Sequence, residues 1–241
     1  MNKLPLVLVH GFMGGSGQWN LQRSDLKKHF KLVAPDLPGF ANKSNLKAPN
    51  TIAGFAKSVF DELDAQGIDQ FKLLGHSMGG MIVQEMMAMQ PNRIERLVLF
   101  GTSATGDLPG RFESFATSKK RVFEDGIKAS ARRISATWFL DFEAAPEFEN
   151  CAKIAEQSSM QALHAGLDAM QIWARIENLK NISIPTLVLW GEGDRTYHWP
   201  QIEQLWKQIP NANLAVIPSC SHAAHMEKPE ILNAILIDFL K

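Results

Sequence analysis

Ser77 stands at the centre of Gly75-His76-Ser77-Met78-Gly79. An alcohol is a weak nucleophile at neutral pH, so such a serine needs a base beside it and an acid to orient the base. Candidates for both lie later in the chain. Asp194 closes the turn Gly191-Glu192-Gly193-Asp194, and His222 ends Pro218-Ser219-Cys220-Ser221-His222. The order Ser, Asp, His is the one expected when the serine sits on a strand-to-helix turn. Two other acids compete. Asp107 follows an apolar run, and Asp36 precedes the serine in Asp-Leu-Pro-Gly, where a turn-forming role suits it better. His225 follows His222 by three residues and is expected as a neighbour lining the pocket. The other histidines, His10, His29, His76, His164 and His198, read as structural or surface residues. An oxyanion formed at Ser77 needs aimed donors. The backbone N–H of Met78 is one candidate, and that of Phe12, in the loop His10-Gly11-Phe12-Met13-Gly14-Gly15-Ser16-Gly17, is the second. Taken alone, the pentapeptide also fits an ordinary glycine-rich turn.

The elements that must position these residues are legible from periodicity. Apolar runs at Leu4–Val9, Lys31–Pro35, Phe71–Gly75, Arg96–Phe100, Ile184–Trp190 and Leu214–Ile217 read as strands. Between them lie helical patterns at Trp19–His29, Thr51–Gln66, Met78–Gln90 and Trp199–Ile209, and Pro229–Leu240 closes the chain. Alternation of this kind indicates βαβ units and a parallel sheet, in which chemistry collects beyond the carboxyl ends of the strands. Ser77, Asp194 and His222 each come after a strand. The rhythm stops between 104 and 181, where four helical segments succeed one another, at Gly110–Glu124, Ile127–Leu140, Pro146–Gln157 and Met160–Ala174. The expected organisation is a core of residues 1–103 and 182–241 with a helical cap, 104–181, inserted after the strand 96–100.

Composition narrows the function classes. The 241 residues carry 25 basic and 25 acidic side chains, so no electrostatic footprint for nucleic acid or an anionic membrane is present. No apolar run approaches the length of a membrane span, and a strand begins too early to leave room for a signal peptide. Cys151 and Cys220 are too few for a disulfide framework, although one bridge stays open. The expectation is a cytoplasmic protein, a monomer or small homo-oligomer, acting on a small molecule with neither cofactor nor metal.

Five pieces in order together resemble the α/β-hydrolase family over nearly the whole chain. They are His10-Gly11, Asp36-Leu37-Pro38-Gly39-Phe40 with Ser44, Gly75-His76-Ser77-Met78-Gly79-Gly80, Pro185-Thr186-Leu187 leading to Gly191 and Asp194, and His222-Ala223-Ala224-His225-Met226-Glu227-Lys228-Pro229. The family's catalytic histidine stands five residues before a glutamate and seven before a proline, which selects His222 over His225. The resemblance implies the α/β-hydrolase fold, here a mostly parallel sheet of about six strands because the antiparallel hairpin of many members has no counterpart before Leu4. Ala41 replaces a glycine usual in the family. Trp19, Gln22, Arg93–Leu99, Thr102-Ser103-Ala104 and Trp138-Phe139 look most like the 3-oxoadipate enol-lactonase and small carboxylesterase branch, and esterases of pimeloyl methyl esters are similar in plan.

The resemblance implies a serine hydrolase cleaving a carboxylic ester or lactone through an acyl-enzyme. Ser77 is the nucleophile, His222 the base and Asp194 the orienting acid, with Phe12 and Met78 amides on the oxyanion. Carbon–carbon bond hydrolysis, peptide hydrolysis and perhydrolysis remain alternatives on the same residues, as does a slow-turnover ligand sensor. Trp138 and His225 are expected at the substrate. Met160, Met170, Trp138 and Trp173 serve equally well as cap core or pocket lining. Arg111, Arg132, Arg133 and Arg175 offer partners for a substrate carboxylate, but each singly reads better as a solvated helix residue. Cys220 is expected to be a small buried side chain.

Overall fold

The computed structural model describes residues 4–108 and 113–241. Six strands, β1 (Leu6–Val9), β2 (Leu32–Val33), β3 (Phe71–His76), β4 (Ile94–Phe100), β5 (Thr186–Gly191) and β6 (Asn213–Ile217), form one sheet in the order β2-β1-β3-β4-β5-β6. All five pairings are parallel. Parallel neighbours cannot be joined by a tight turn, so each connection carries helix. These are α1 (Asn20–Leu26), α2 (Ile52–Ala65), α3 (Met78–Met89), α4 (Phe115–Ala136), α5 (Phe148–Ala155), α6 (Met160–Gln171) and α7 (Trp199–Gln208), with α8 (Ala224–Glu227) and α9 (Pro229–Leu240) after the last strand. The six-stranded α/β architecture agrees with the sequence reading. Strand β2 is shorter than expected; Pro35 offers no N–H to a ladder, and the chain leaves the sheet edge there.

Side chains of the central strands alternate between two buried faces. Val7, Val9, Leu73, Leu99 and Val188 pack with the buried residues of α2, α3 and α7. Leu6, Leu8, Leu74, Val98 and Leu187 pack on the other face with Trp19, Leu26 of α1 and Leu232 and Leu236 of α9. Helix α2 shows how the local sequence produces one of these faces. The Thr51 hydroxyl accepts from the Gly54 N–H at 3.1 Å to start it, and Ile52, Phe55, Ala56, Val59, Phe60 and Leu63 form its buried stripe. Each such large side chain contributes about 1.5–3 kcal/mol on burial.

Strand order reverses at β1, which has β2 on one side and β3 on the other. Connections therefore leave β1 and β3 in opposite directions, and a crevice opens between them at the carboxyl ends. The loop beginning at His10 and the turn at Ser77 both emerge there.

No strand interrupts the described part of the segment between β4 and β5. Two helices expected at Gly110–Glu124 and Ile127–Leu140 are the halves of α4, which breaks at Gly126 (φ 77°, ψ 174°); Gly110 itself lies outside the described residues. The neck of this helical insertion is an antiparallel bridge between Thr105 and Ala174. Hydrogen bonds from Gly106 N to Trp173 O (2.9 Å) and from Arg175 N to Ala104 O (2.7 Å) complete it.

Candidate active site

Ser77 occupies the corner between β3 and α3 with φ 57° and ψ −122°, a conformation that costs a non-glycine residue energy and persists only where the surroundings enforce it. They do so through three contacts. Ser77 N donates to Phe100 O at 3.0 Å, the Thr102 hydroxyl donates to Ser77 O at 2.8 Å, and Gly80 N donates to the same carbonyl at 2.8 Å. The approach of α3 to the sheet also demands glycine at position 79, where a Cβ would lie 2.3 Å from the Val9 carbonyl oxygen. Met78 is the first residue of α3, so its N–H has no acceptor within the helix.

The loop after β1 is packed directly against this corner. A Cβ at Gly11 would stand 2.8 Å from Ser77 Cβ and 3.4 Å from Ser77 Oγ, which puts the backbone leading to Phe12 beside the hydroxyl. His10 holds the loop from below. Its Nδ1–H donates to Gly11 O (2.8 Å), and its Nε2 accepts from Leu37 N (3.0 Å). Burial pushes its pKa down to about 4, consistent with this neutral tautomer. Asp36 accepts from Ser16 N (2.6 Å) and from the Asn42 amide (2.8 Å). Burial alone would raise its pKa; these hydrogen bonds outweigh it and hold the carboxyl below its usual value. Asp36 therefore braces the glycine-rich loop, in keeping with a turn-forming role.

Asp194 and His222 meet beyond β5 and β6. His222 Nδ1–H donates to Asp194 Oδ2 at 2.9 Å, with both side chains almost fully buried. The other carboxylate oxygen accepts from Thr196 N (2.7 Å) and Tyr197 N (3.1 Å), so the acid is fixed at both ends. Nδ1–H donation leaves Nε2 as the imidazole's free acceptor. The pair sits over Gly101, where a Cβ would lie 3.3 Å from His222 Nδ1 and 3.4 Å from Asp194 Oδ2. Gly101 is the residue after Phe100, whose carbonyl receives the Ser77 amide. Thus the fold carries Ser77, Asp194 and His222 to one end of the sheet. Asp107 has no described contact with His222; its carbonyl accepts from the Thr105 hydroxyl at 3.4 Å. Glu227, whose spacing marks His222 in the sequence, also ties the histidine loop down. It accepts from Ser221 N (2.6 Å) and from Leu140 N of the helical insertion (2.8 Å).

Behind His222 lies a stack of buried histidines. His76 lies 4.5 Å from the His222 ring and 4.8 Å from that of His225, centroid to centroid. His225 packs on Trp19 at 5.1 Å and does not line the cavity beside Ser77. Its ring is packed between those of Trp19 and His76. Burial drives His225 down to about 3, helped by neighbouring His222, and holds His76 well below the ordinary histidine value. Gln22 supports the stack by donating its Nε2–H to the His225 carbonyl at 2.7 Å. Cys220 is buried, and burial pushes its thiol up to about 12, which makes it a poor nucleophile. Both cysteines are free.

Above Ser77 is a cavity of about 50 Å³ walled by Phe12, Ser118, Ile134, Trp138, Leu167 and Met170, with Thr196 and Tyr197 at its side. Trp138 and Met170 both line this cavity. Trp173 does not, since its indole N–H donates to Glu85 Oε2 at 3.1 Å. Arg175 grips the same carboxylate with two bonds of 2.7 and 2.8 Å, fastening the neck of the insertion to α3. Arg132 pairs with Glu149 and Glu156, and Arg133 with Glu113; Arg111 lies outside the described residues. Ser118, Thr196 and Tyr197 carry no signal in the sequence, because their part in the cavity depends on how α4 and the loop after β5 fold over the sheet.

The fold and the site place the chain in a family. Its residues 5–229 match the profile of the alpha/beta hydrolase fold, and the chain belongs to that family. It is an enzyme of the hydrolase class, as its relatives are named. It is 27% identical to the pimeloyl-[acyl-carrier protein] methyl ester esterase of Yersinia enterocolitica, over 97% of this chain and 92% of that one. It is 26% identical to the 2-hydroxy-6-oxo-6-phenylhexa-2,4-dienoate hydrolase of Burkholderia cepacia, over 98% and 87%. Among solved structures the enol-lactonase from Burkholderia xenovorans superposes with a TM-score of 0.91 over 100% of this chain and 92% of that one, at 23% identity.

Proposed function

We propose that the protein hydrolyses a carboxylic ester or lactone through an acyl-enzyme on Ser77. The observation that carries this reading is the buried His222–Asp194 hydrogen bond of 2.9 Å at the end of the sheet where the strained Ser77 corner emerges. In this reading His222 Nε2 takes the Ser77 proton as Oγ attacks the carbonyl carbon. The oxyanion is received by the N–H groups of Phe12 and Met78, and Asp194 stabilises the imidazolium. His222 then returns the proton to the departing alcohol or enol oxygen. A water, deprotonated by the same imidazole, attacks the acyl-enzyme and frees the acid.

The relatives named as a methyl ester esterase and an enol-lactonase support this bond class. A relative named as a dienoate hydrolase keeps carbon–carbon cleavage as the second reading on the same residues. Two free, buried thiols suit a reducing compartment, and we place the protein in the cytoplasm on that ground. Among the described residues no helix is long and apolar enough to cross a membrane.

The test is turnover of a panel of short p-nitrophenyl esters, lactones and a vinylogous 1,5-diketone by the wild type and by Ser77→Ala. Loss of ester turnover by about 10⁴- to 10⁶-fold in Ser77→Ala is expected. Full activity in that variant sinks the nucleophile assignment. Turnover of the diketone alone transfers the assignment to carbon–carbon hydrolysis.

A further inference from the structure

Ser118 is buried to 1% exposure on α4, and its hydroxyl has no hydrogen-bond partner among the described residues. A helical serine ordinarily turns its hydroxyl back to the carbonyl four residues earlier. Here the Ser114 carbonyl is engaged by the Ser118 N–H at 2.9 Å, and the Ser118 hydroxyl makes no such bond. A buried hydroxyl left unpaired is unfavourable, so one on a residue that walls a site calls for an outside partner. Ser118 lines the same cavity as Ser77.

The remaining wall decides what that partner is. Phe12, Ile134, Trp138, Leu167 and Met170 present apolar surface, and no charged side chain is among the described lining residues. Arg132, Arg133 and Arg175 are each occupied by carboxylates. An anionic group entering here would lose its hydration without a counter-charge. A neutral oxygen would meet the Ser118 hydroxyl, with Thr196 and Tyr197 at the side, in a mostly apolar pocket, and a few placed polar groups of this kind are how such sites fix orientation.

We infer that Ser118 is a specificity-determining residue that donates a hydrogen bond to an uncharged oxygen of the substrate. The substrate class is a compact neutral ester or lactone with an ether, hydroxyl or carbonyl oxygen on the group held in the cavity, beyond the bond that Ser77 attacks. The ester or lactone part of this class rests on the proposed acyl-enzyme reaction; the contact itself does not.

Isosteric pairs test it. p-Nitrophenyl methoxyacetate and butyrate differ by an oxygen for a methylene in the acyl group, and 2-methoxyethyl and butyl acetate differ likewise in the alcohol. The ratio of kcat/KM, oxygen over methylene, is compared between wild type and Ser118→Ala, so that intrinsic reactivity cancels. In one of the pairs Ser118→Ala should lower that ratio about five- to tenfold, while Ser130→Ala, a buried serine on the same helix that does not line the cavity, leaves it unchanged. Equal ratios in wild type and Ser118→Ala for both pairs overturn the contact. Thermal shift with methoxyacetone against 2-pentanone reads the same contact without turnover. If no ester is cleaved yet wild type favours methoxyacetone and Ser118→Ala does not, the reaction assignment falls and the contact stands. If neither turnover nor this preference is seen, the contact falls as well.

Discussion

His76 Nε2–H donates to the main-chain carbonyl of His222 at 3.0 Å, so the residue before Ser77 holds the loop that carries His222. The bond crosses from β3 to the segment after β6, and the stacked rings keep the two loops at one spacing. Registration of Ser77 against His222 thus depends on a side chain that is not among those lining the cavity.

Replacing His76 by phenylalanine keeps the stack and removes the bond. We expect kcat to fall about 10- to 100-fold with KM little changed, because displacement of a base by an ångström is costly. His76→Gln, which keeps an N–H donor, should recover part of the loss. Steady-state kinetics on the best ester of the panel decide this, and an unchanged kcat in His76→Phe would show that Glu227 alone suffices to hold the loop.

The buried histidines set the acid stability. His10, His76 and His225 are neutral in the fold, with His10 lowered to about 4 and His225 to about 3. Below about pH 6.5 the unfolded chain takes up protons at these rings that the native chain refuses. Stability is therefore fully present above that pH and declines as pH falls toward 4, by up to about 1.4 kcal/mol per pH unit for each ring. His225→Phe should flatten the slope between pH 6 and 4 by about one ring's share. Urea titrations across that window measure it, and an unaltered slope would mean that His225 takes a proton freely in the native state.

Gly11→Ala inserts a methyl group 2.8 Å from Ser77 Cβ and 3.1 Å from the His76 carbonyl oxygen. Neither neighbour is the free end of a flexible chain, so the loop itself must retreat. Activity should drop by at least about 100-fold while stability falls by only about 1–3 kcal/mol. A folded variant with native turnover, judged by circular dichroism and ester kinetics together, contradicts this placement of the Phe12 amide.

Glu85→Gln weakens the grip on Arg175 and Trp173 at the neck of the insertion. With Arg175 about one-third exposed, the expected cost is about 2 kcal/mol, read from denaturant midpoints. Burial opposes ionisation of Glu85, but its bonds to Arg175 and Trp173 prevail and lower its pKa. The wild-type contribution is present above the ordinary glutamate value near 4.5 and is lost as pH falls through the lowered one. The variant's deficit should accordingly vanish at the acid end; a deficit that persists there points to packing instead of charge.

The sheet and the three residues at its end are legible in the sequence because each signal is local. Ser77, Asp194 and His222 each come after an apolar run, and a parallel sheet sends all such positions to the same edge. Gly126 likewise separates two helical patterns at the place where α4 breaks. Contacts that depend on the insertion folding back are not legible. Glu85 and Arg175 lie 90 positions apart, and nothing in the spacing of either anticipates their pairing. Ser118 looks like any polar residue of an exposed helix, and only the packing of α4 over Ser77 turns it inward.

The Thr105–Ala174 bridge makes the two ends of the insertion neighbours before the chain rejoins the sheet. The β-strands therefore experience everything between these ends as a closed loop of fixed width. Doubling the length of such a loop costs only about 0.6 kcal/mol in closure entropy. The closure term therefore leaves the length of the insertion nearly unconstrained, and what limits change there is the core that Phe115, Ile134, Phe139 and Leu167 share with α2 and α3.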